Sequence, residues 1–380
     1  MTLLSAPTTG LIDVATELDV WAERLSAELQ ERGENPHNGS PADSDSPYAY
    51  QRMGAAGIIG LAWPRALGGR DMGPVDVVKV EERLGYNWLP LCSYLLSVKT
   101  IGAAIMRYGS PDLIERFIPE VTAGRLMFCQ GFSEAGSGSD LASLRTRAVR
   151  SGDQWVVNGA KTWTSSAEFA DWMYLAVRTD ADLPRQKGLS VMLLDMRSPG
   201  VHVDVHETLG GGTFGEVTMS DVEVPIDNII GEVNGGWPVL MGSLDFERVT
   251  SEKVGVAFWV LDRLDELAEV RHQRALLVLR GELEACRRLG HEATRLIAAQ
   301  ARVSRVSSMC KLSVSLTMQK IAALSVEICG PQALVERGPS AIAMGRLAGF
   351  HRSSVSMTIA GGSCDIQRKI IAQQGLGFPR

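Results

Sequence analysis

The stretch Phe128–Ser166, FCQGFSEAGSGSDLASLRTRAVRSGDQWVVNGAKTWTSS, constrains what this chain can fold into more than any other part of it. Its first part collects small and hydroxyl residues, Ser133, Gly136, Ser137, Gly138 and Ser139, followed by Asp140. Such a loop exposes backbone N–H groups, and glycine lets a ligand approach the main chain closely. Most loops of this composition, taken alone, are only turns. The last part alternates as strand does, through Trp155, Val156 and Val157, then Asn158-Gly159, then Lys161, Trp163 and Ser165. The Asn-Gly pair predicts a hairpin turning at that point.

On either side the periodicity is helical. Val14, Leu18, Trp21, Leu25 and Leu29 recur at intervals of three and four, as one face of an amphipathic helix does. Asn35 to Pro47 (NPHNGSPADSDSP) reads as an exposed, mobile linker. Helical pattern returns at Tyr50–Gly60, Val77–Leu84, Leu95–Tyr108 and Asp112–Phe117. From about Leu126 short branched and aromatic segments follow one another: Trp172–Arg178, Leu189–Asp195, Val201–Val205 and Glu216–Val224. Strands without intervening helices predict an antiparallel sheet or small barrel. After Asn234 helices resume, and Val314, Met318, Ile321, Leu324 and Ile328 form a bundle stripe that reads as core. The fold class is therefore α+β. The expected domains are a helical one over 1–124, a β domain over 125–233 and a four-helix bundle over 234–380.

Composition excludes several classes. A net charge of −6 leaves no electrostatic footprint for nucleic acid. The six cysteines, Cys92, Cys129, Cys286, Cys310, Cys329 and Cys364, show no CxxC or CxxH spacing, so neither a metal site nor a disulfide framework is expected. The N-terminus lacks the pattern of a signal peptide, and no uninterrupted apolar run spans a membrane. A cytoplasmic protein is the plain expectation.

The order Q-G-F-S-E-x-G-S-G-S-D, then N-G-x-K-x-W-x-x-S, resembles the flavin-binding middle domain of the acyl-CoA dehydrogenase family, and the resemblance runs from about Gly57 to Arg380. It implies FAD as cofactor. Gln130, Phe132 and Ser133 match positions that line the flavin, Trp163 the aromatic beside the ring, and Ser165 the hydroxyl near N5. Ser139 matches a contact to the pantetheine or phosphate part of the acyl carrier, and Ser363 and Asp365 match positions that reach a neighbouring subunit's FAD. The carrier is coenzyme A or an acyl carrier protein, and an electron-transfer flavoprotein or similar acceptor is the implied electron partner.

The family removes the α-proton of an acyl thioester with a carboxylate while hydride leaves the β-carbon. That chemistry needs one carboxylate in a water-poor cleft, and donors aimed at the thioester oxygen. In many members the base stands in the C-terminal segment, at the position of Gly361 here; glycine has no side chain to act. Other members carry it before an Arg on the first helix of the C-terminal bundle, which is Glu247 in LDFERV. By pattern alone Glu247 is a surface partner of Arg248 or Lys253; within the resemblance it is the base, with the Gly361 N–H polarising the carbonyl. The glycine at 361 also suggests room for a branched or bulky acyl end. Asp245 and Arg248 match residues at the carrier end of the cleft, although an intrahelical ion pair explains them equally well.

One departure from the family is plain. The Arg-x-x-Phe-Gly segment is absent from DELAEVRHQRALLVLRGELEACRRLG. That opens a hetero-oligomer of two different subunits beside a homodimer or homotetramer, and with it a subunit that binds without catalysing. Flavin monooxygenases share the fold and need no carboxylate base, so they form a further alternative class.

Overall fold

The computed structural model describes residues 11–34 and 40–379. The first helical region comprises α1 (Leu18–Glu31), α2 (Pro47–Ala55), α3 (Pro74–Tyr86), α4 (Cys92–Tyr94), which continues as a π-helix over Leu95–Gly102, α5 (Ala103–Tyr108) and α6 (Pro111–Thr122). Its helix starts are written locally. Ser46 and Ser110 each accept a backbone N–H two residues into the helix, and proline follows each at the position where its missing N–H costs nothing. Leu18, Trp21, Leu25 and Leu29 are buried in the same core as Tyr50, Phe117 and Ile118.

Seven strands follow: β1 (Phe128–Gly131), β2 (Arg147–Ser151), β3 (Gln154–Thr164), β4 (Trp172–Arg178), β5 (Leu189–Asp195), β6 (Val201–Glu207) and β7 (Thr213–Pro225). They pair in the order β1-β4-β2-β3-β7-β6, with β5 on β4. The sheet is mixed and not wholly antiparallel, since β4 runs parallel to β1 and to β2. The expected turn at Asn158-Gly159 is also corrected. β3 passes straight through the pair, and the chain reverses at Gly152-Asp153 instead. Asn158 is held across to β7, giving its amide to Asp221 at 2.9 Å and accepting the Asp221 N–H at 3.0 Å, while the register slips by a bulge beside it. This exchange with a neighbouring strand replaces the local turn that the pair would otherwise form.

The last region contains α7 (Gly236–Glu247), α8 (Ser251–Leu267), α9 (Gln273–Ala298), α10 (Ser304–Cys329), α11 (Arg346–Ser356) and α12 (Cys364–Ile370). Ser304–Leu334 is long and apolar enough by composition to cross a membrane, but here its Val314, Met318 and Ile321 face is the core of the bundle.

The two helical regions meet directly. A Cβ on Gly85 of α3 would lie 1.9 Å from the Glu252 carbonyl oxygen, and one on Gly255 of α8 would lie 1.9 Å from that of Glu82. The helices therefore touch backbone to backbone. Beside this contact Lys99 is buried between Glu81 at 2.8 Å and Glu252 at 3.0 Å. Burial alone would push its pKa down; the two carboxylates more than offset that and raise it.

The linker is the largest correction. Residues 35–39 lie outside the described residues, but 40–47 form a strap packed against all three regions. Leu91 and Cys92 donate their N–H groups to the carbonyls of Pro41 and Ser44. Asp45 accepts from Ser93 at 2.5 Å and from Ser166, and Asp43 accepts from Ser353 on α11. The polar composition that suggests solvent instead supplies buried acceptors for three serines.

Lys99→Met would leave Glu81 and Glu252 buried without their cation. Loss of one partner from such a site costs on the order of 3–5 kcal/mol. Denaturant unfolding should show a loss of that size, and a change under about 1 kcal/mol would show that the ion cluster is dispensable.

Candidate active site

The Gly/Ser loop between β1 and β2 is fixed from beneath by Lys161 of β3. This side chain is fully buried, and its ammonium donates to the Phe132 carbonyl at 3.1 Å and to Glu134 Oε1 at 2.9 Å. Glu134 also accepts the N–H groups of Arg145 at 2.7 Å and Thr146 at 2.9 Å. Burial pushes the Glu134 carboxyl up, and Lys161 with these N–H groups more than reverses that, so it stays below the usual range. Glu134 and Ser137 exchange backbone hydrogen bonds, which leaves Gly136, Gly138 and Ser139 on an open rim.

Above this platform Trp163 is 66% exposed although it sits in a strand, with φ at +59°. One neighbour is Phe214, with ring centroids 4.5 Å apart; its remaining area faces outward. Gln130 is half-buried, and its side-chain oxygen is buried without a protein partner. Ser133 accepts the Thr162 N–H at 2.9 Å through its carbonyl, and Ser165 is half-buried two residues beyond Trp163. The ring of Phe132 turns inward against Tyr174, 5.5 Å between centroids, so only its main chain faces the loop. An open aromatic face, an orphaned acceptor and a nearby hydroxyl fit a planar heteroaromatic group with N–H donors, such as a flavin. Ser166, next in the chain, closes the floor by donating to Asp45 and meeting the Cys92 sulfur at 3.3 Å. Burial, with Asp45 beside it, pushes the Cys92 thiol up, which leaves it inert.

The carboxylate side is built from the end of α7 and the loop before α12. Gly361 has φ +66°, and a Cβ there would lie 2.9 Å from Glu247 Oε1. The two positions singled out from sequence are thus in contact. Glu247 Oε2 is buried with no protein partner, as is Arg248 Nε. The Glu247 carboxylate thus borders the space that a side chain at 361 would enter. The loop is clamped by Gln367, whose amide donates to the carbonyls of Gly361 at 3.2 Å and Gly362 at 2.9 Å.

The remaining candidates are dispersed. Asp245 pairs with Arg248 at 3.0 Å and accepts from Ser304 at 2.7 Å and Ser307 at 3.0 Å, tying α7 to α10. Ser363 caps α12 by accepting the Ile366 N–H, and Asp365 is exposed and paired with Arg368 at 2.7 Å. Two residues that sequence reasoning passed over belong to the site, Gln367 and Lys311. Lys311 is buried on the bundle stripe four residues from Ser315, and a lone lysine among apolar stripe positions was the available signal. A separate open groove between α9 and α10, lined by Arg271, Arg274, Glu282, Lys320 and Glu327, is built from other residues and carries no assigned chemistry.

Three family models match in succession: acyl-CoA dehydrogenase N-terminal domain over 21–125, middle domain over 129–222 and C-terminal domain over 234–376. The chain is 30% identical over 352 residues to the acyl-CoA dehydrogenase FadE26 of Mycobacterium tuberculosis, covering 87% of each. The chain belongs to the acyl-CoA dehydrogenase family. These are flavoprotein oxidoreductases acting on CH–CH bonds, and the helix–sheet–helix order is theirs. Among solved structures it is similar to the Tcur3481-Tcur3483 steroid ACAD, with TM-score 0.87, 26% identity and coverage of 97% of this chain and 100% of that one. It is likewise similar to the ChsE4-ChsE5 complex of Mycobacterium tuberculosis, with TM-score 0.83, 28% identity and full coverage of both chains.

Gly361→Ala tests the contact. A β-carbon in the left-handed region costs roughly 1–2 kcal/mol, and here it also drives into Glu247 Oε1. The variant should unfold at lower denaturant by about that amount. Unchanged stability would mean that the loop relaxes freely.

Proposed function

We propose that this protein dehydrogenates a saturated acyl-CoA to the α,β-enoyl thioester, with Glu247 as the base. The observation that carries the reading is the Glu247 carboxylate in the hollow at Gly361, one oxygen buried and unpartnered. That oxygen has no donor in the protein, and the α-proton of a bound thioester is the partner it lacks. The α-C–H bond breaks to Glu247, its electron pair forms the new C=C bond, and the β-hydrogen leaves with two electrons. FAD, when bound, supplies the acceptor for that hydride. Gln130, Trp163 and Ser165 would hold its ring, with the main chain at Phe132 and Ser133. The Gly361 N–H would polarise the thioester carbonyl. Ser139 on the open rim would meet the carrier, and Asp245 and Arg248 would border its entrance. Ser363 and Asp365 would face the FAD of an adjoining subunit.

A bulky polycyclic acyl group is the substrate reading supported by likeness to a protein described as a steroid ACAD. Coenzyme A is preferred over an acyl carrier protein because the family and its named members act on CoA thioesters. The partner is read as a second acyl-CoA dehydrogenase-like chain. Two similar structures are described as two-component assemblies, and Val270, Leu277 and Val278 stand exposed where the Arg-x-x-Phe-Gly segment is missing. Electrons would pass to an electron-transfer flavoprotein, in the cytoplasm. The domain limits 1–124, 125–233 and 234–380 complete the reading.

Purified protein should be yellow and release FAD, not FMN, on denaturation. Ser165→Ala should weaken flavin binding by on the order of 1 kcal/mol. Glu247→Gln should still bind thioester but slow anaerobic flavin reduction by at least about 10²-fold, whereas Asp365→Asn that retains FAD should reduce normally. Near-normal reduction in Glu247→Gln, or an oxygenated product from reduced protein and oxygen, would replace this reading with the monooxygenase one.

A further inference from the structure

Two residues at the end of β3 hold a backbone conformation that their own side chains oppose. Trp163 has φ +59° and Ser166 φ +61°, on either side of Ser165. Residues with a β-carbon seldom occupy this left-handed region, bulky ones least of all, so such a pair persists only where its surroundings hold it. Trp163 stands at a slip of register between β3 and β7, where pairing passes from Lys161 with Val217 to Thr164 with Gly215. A bulge of this kind re-aims a side chain, and here the indole faces outward. Ser166 is buried and held twice. Its carbonyl accepts the N–H groups of Phe169 at 3.0 Å and Ala170 at 2.9 Å, and its hydroxyl donates to Asp45 Oδ2 of the strap, 121 positions away. Asp45 is itself fixed, because its Oδ1 accepts from Ser93 at 2.5 Å and from the Ser46 N–H at 3.1 Å. The strap also meets the loop before Phe214, the ring beside Trp163: a Cβ on Gly212 would lie 2.2 Å from the Asp43 carbonyl oxygen.

We propose that Asp45 is a positioning residue for the flavin side of this site: by taking the Ser166 hydroxyl it locks the left-handed turn that presents Trp163 and Ser165. This rests on the reading that FAD lies against those two residues. Asp45 acts through Ser166 and not on the ring itself. The bulge interrupts the β3–β7 ladder at Trp163, so the setting of the indole depends on what seats the chain beyond it. The hydroxyl's other neighbour is the Cys92 sulfur at 3.3 Å, a weak acceptor, whereas a hydrogen bond to a carboxylate is among the strong ones. The strap's second carboxylate serves a different region. Asp43 accepts from Ser353 on α11, and the end of that helix is held separately, by Lys311 and Ser315 donating to the Met357 carbonyl. Releasing Ser353 therefore loosens the strap while leaving the bond to Ser166 and the start of the Gly361 loop in place.

The test is the FAD dissociation constant of the purified holoenzyme, read from the flavin fluorescence released on dilution, together with the visible circular dichroism of the bound flavin. Asp45→Ala and Ser166→Ala each remove the bond, and each should raise the dissociation constant about tenfold and alter the dichroism. Asp45→Asn can still bond both serines, through its oxygen and its amide, and should stay within about threefold of the natural chain. Ser166→Cys keeps the shape with a weaker donor; it serves where the alanine variants fail to fold, and should show the same change in smaller measure. Ser353→Ala releases the strap from α11 and should alter neither reading. Natural affinity and dichroism in every Asp45→Ala, Ser166→Ala or Ser166→Cys protein that folds, with Trp163→Ala weakened, would overturn the proposal and leave the flavin reading intact. An equal loss in Ser353→Ala would also overturn it, since the strap would then be a general brace. Unchanged FAD binding in Trp163→Ala would overturn the flavin reading instead.

Discussion

A carboxylate kept out of water without a partner is the constraint on which the rest of this structure turns. An ionised group in that condition costs several kcal/mol unless the fold holds it there. Glu247 ends α7 half-buried, with Oε2 unpartnered and Oε1 against the left-handed Gly361. Any side chain at 361 would displace it, and any polar neighbour within reach would consume its lone pairs. Arg248, the adjacent cation, is drawn off by Asp245, which itself accepts from Ser304 and Ser307. The sequence neighbour that would neutralise Glu247 on an ordinary helix surface is thereby held by Asp245, the residue that ties α7 to α10.

A site divided between a sheet and two helical regions is only as precise as the links between them. Three such links are buried and polar. Lys99 joins the π-helix to α3 and α8, Lys161 joins β3 to the loop after β1, and the strap of Asp43 and Asp45 reaches Ser93, Ser166 and Ser353. Apolar packing alone tolerates sliding, whereas charged partners with fixed donors specify one register. Where backbones touch without side chains between them, at Gly85 and Gly255, the same rigidity comes from steric contact.

Much of this was legible in the sequence where local patterns act alone. The stripe Val314, Met318, Ile321 and Leu324 is buried as its spacing requires, and Ser46-Pro47 and Ser110-Pro111 start helices as cap and first-turn residues do. The misreadings share one cause, a local signal overruled by a distant partner. Asn158-Gly159 has the composition of a turn, but Asp221 from β7 takes the amide and the strand continues. Ser40–Ser46 has the composition of a linker, yet serines from three regions bury its carboxylates. What faces the missing side chain at Gly361 is likewise not written locally: it is Glu247, 114 positions away. Lys311 and Gln367 were passed over because a single polar residue in a helix has no periodicity of its own.

The central claim is that Glu247 takes a proton from the carbon beside the thioester. Its most direct measurement is exchange of that hydrogen with deuterated solvent, followed by mass spectrometry of the acyl-CoA incubated anaerobically with the holoenzyme. The account predicts one deuterium at the α-carbon of recovered substrate, catalysed by the natural chain and lost in Glu247→Gln. Exchange that persists in Glu247→Gln, or an enoyl product formed without any α-exchange or α-deuterium isotope effect, would contradict it.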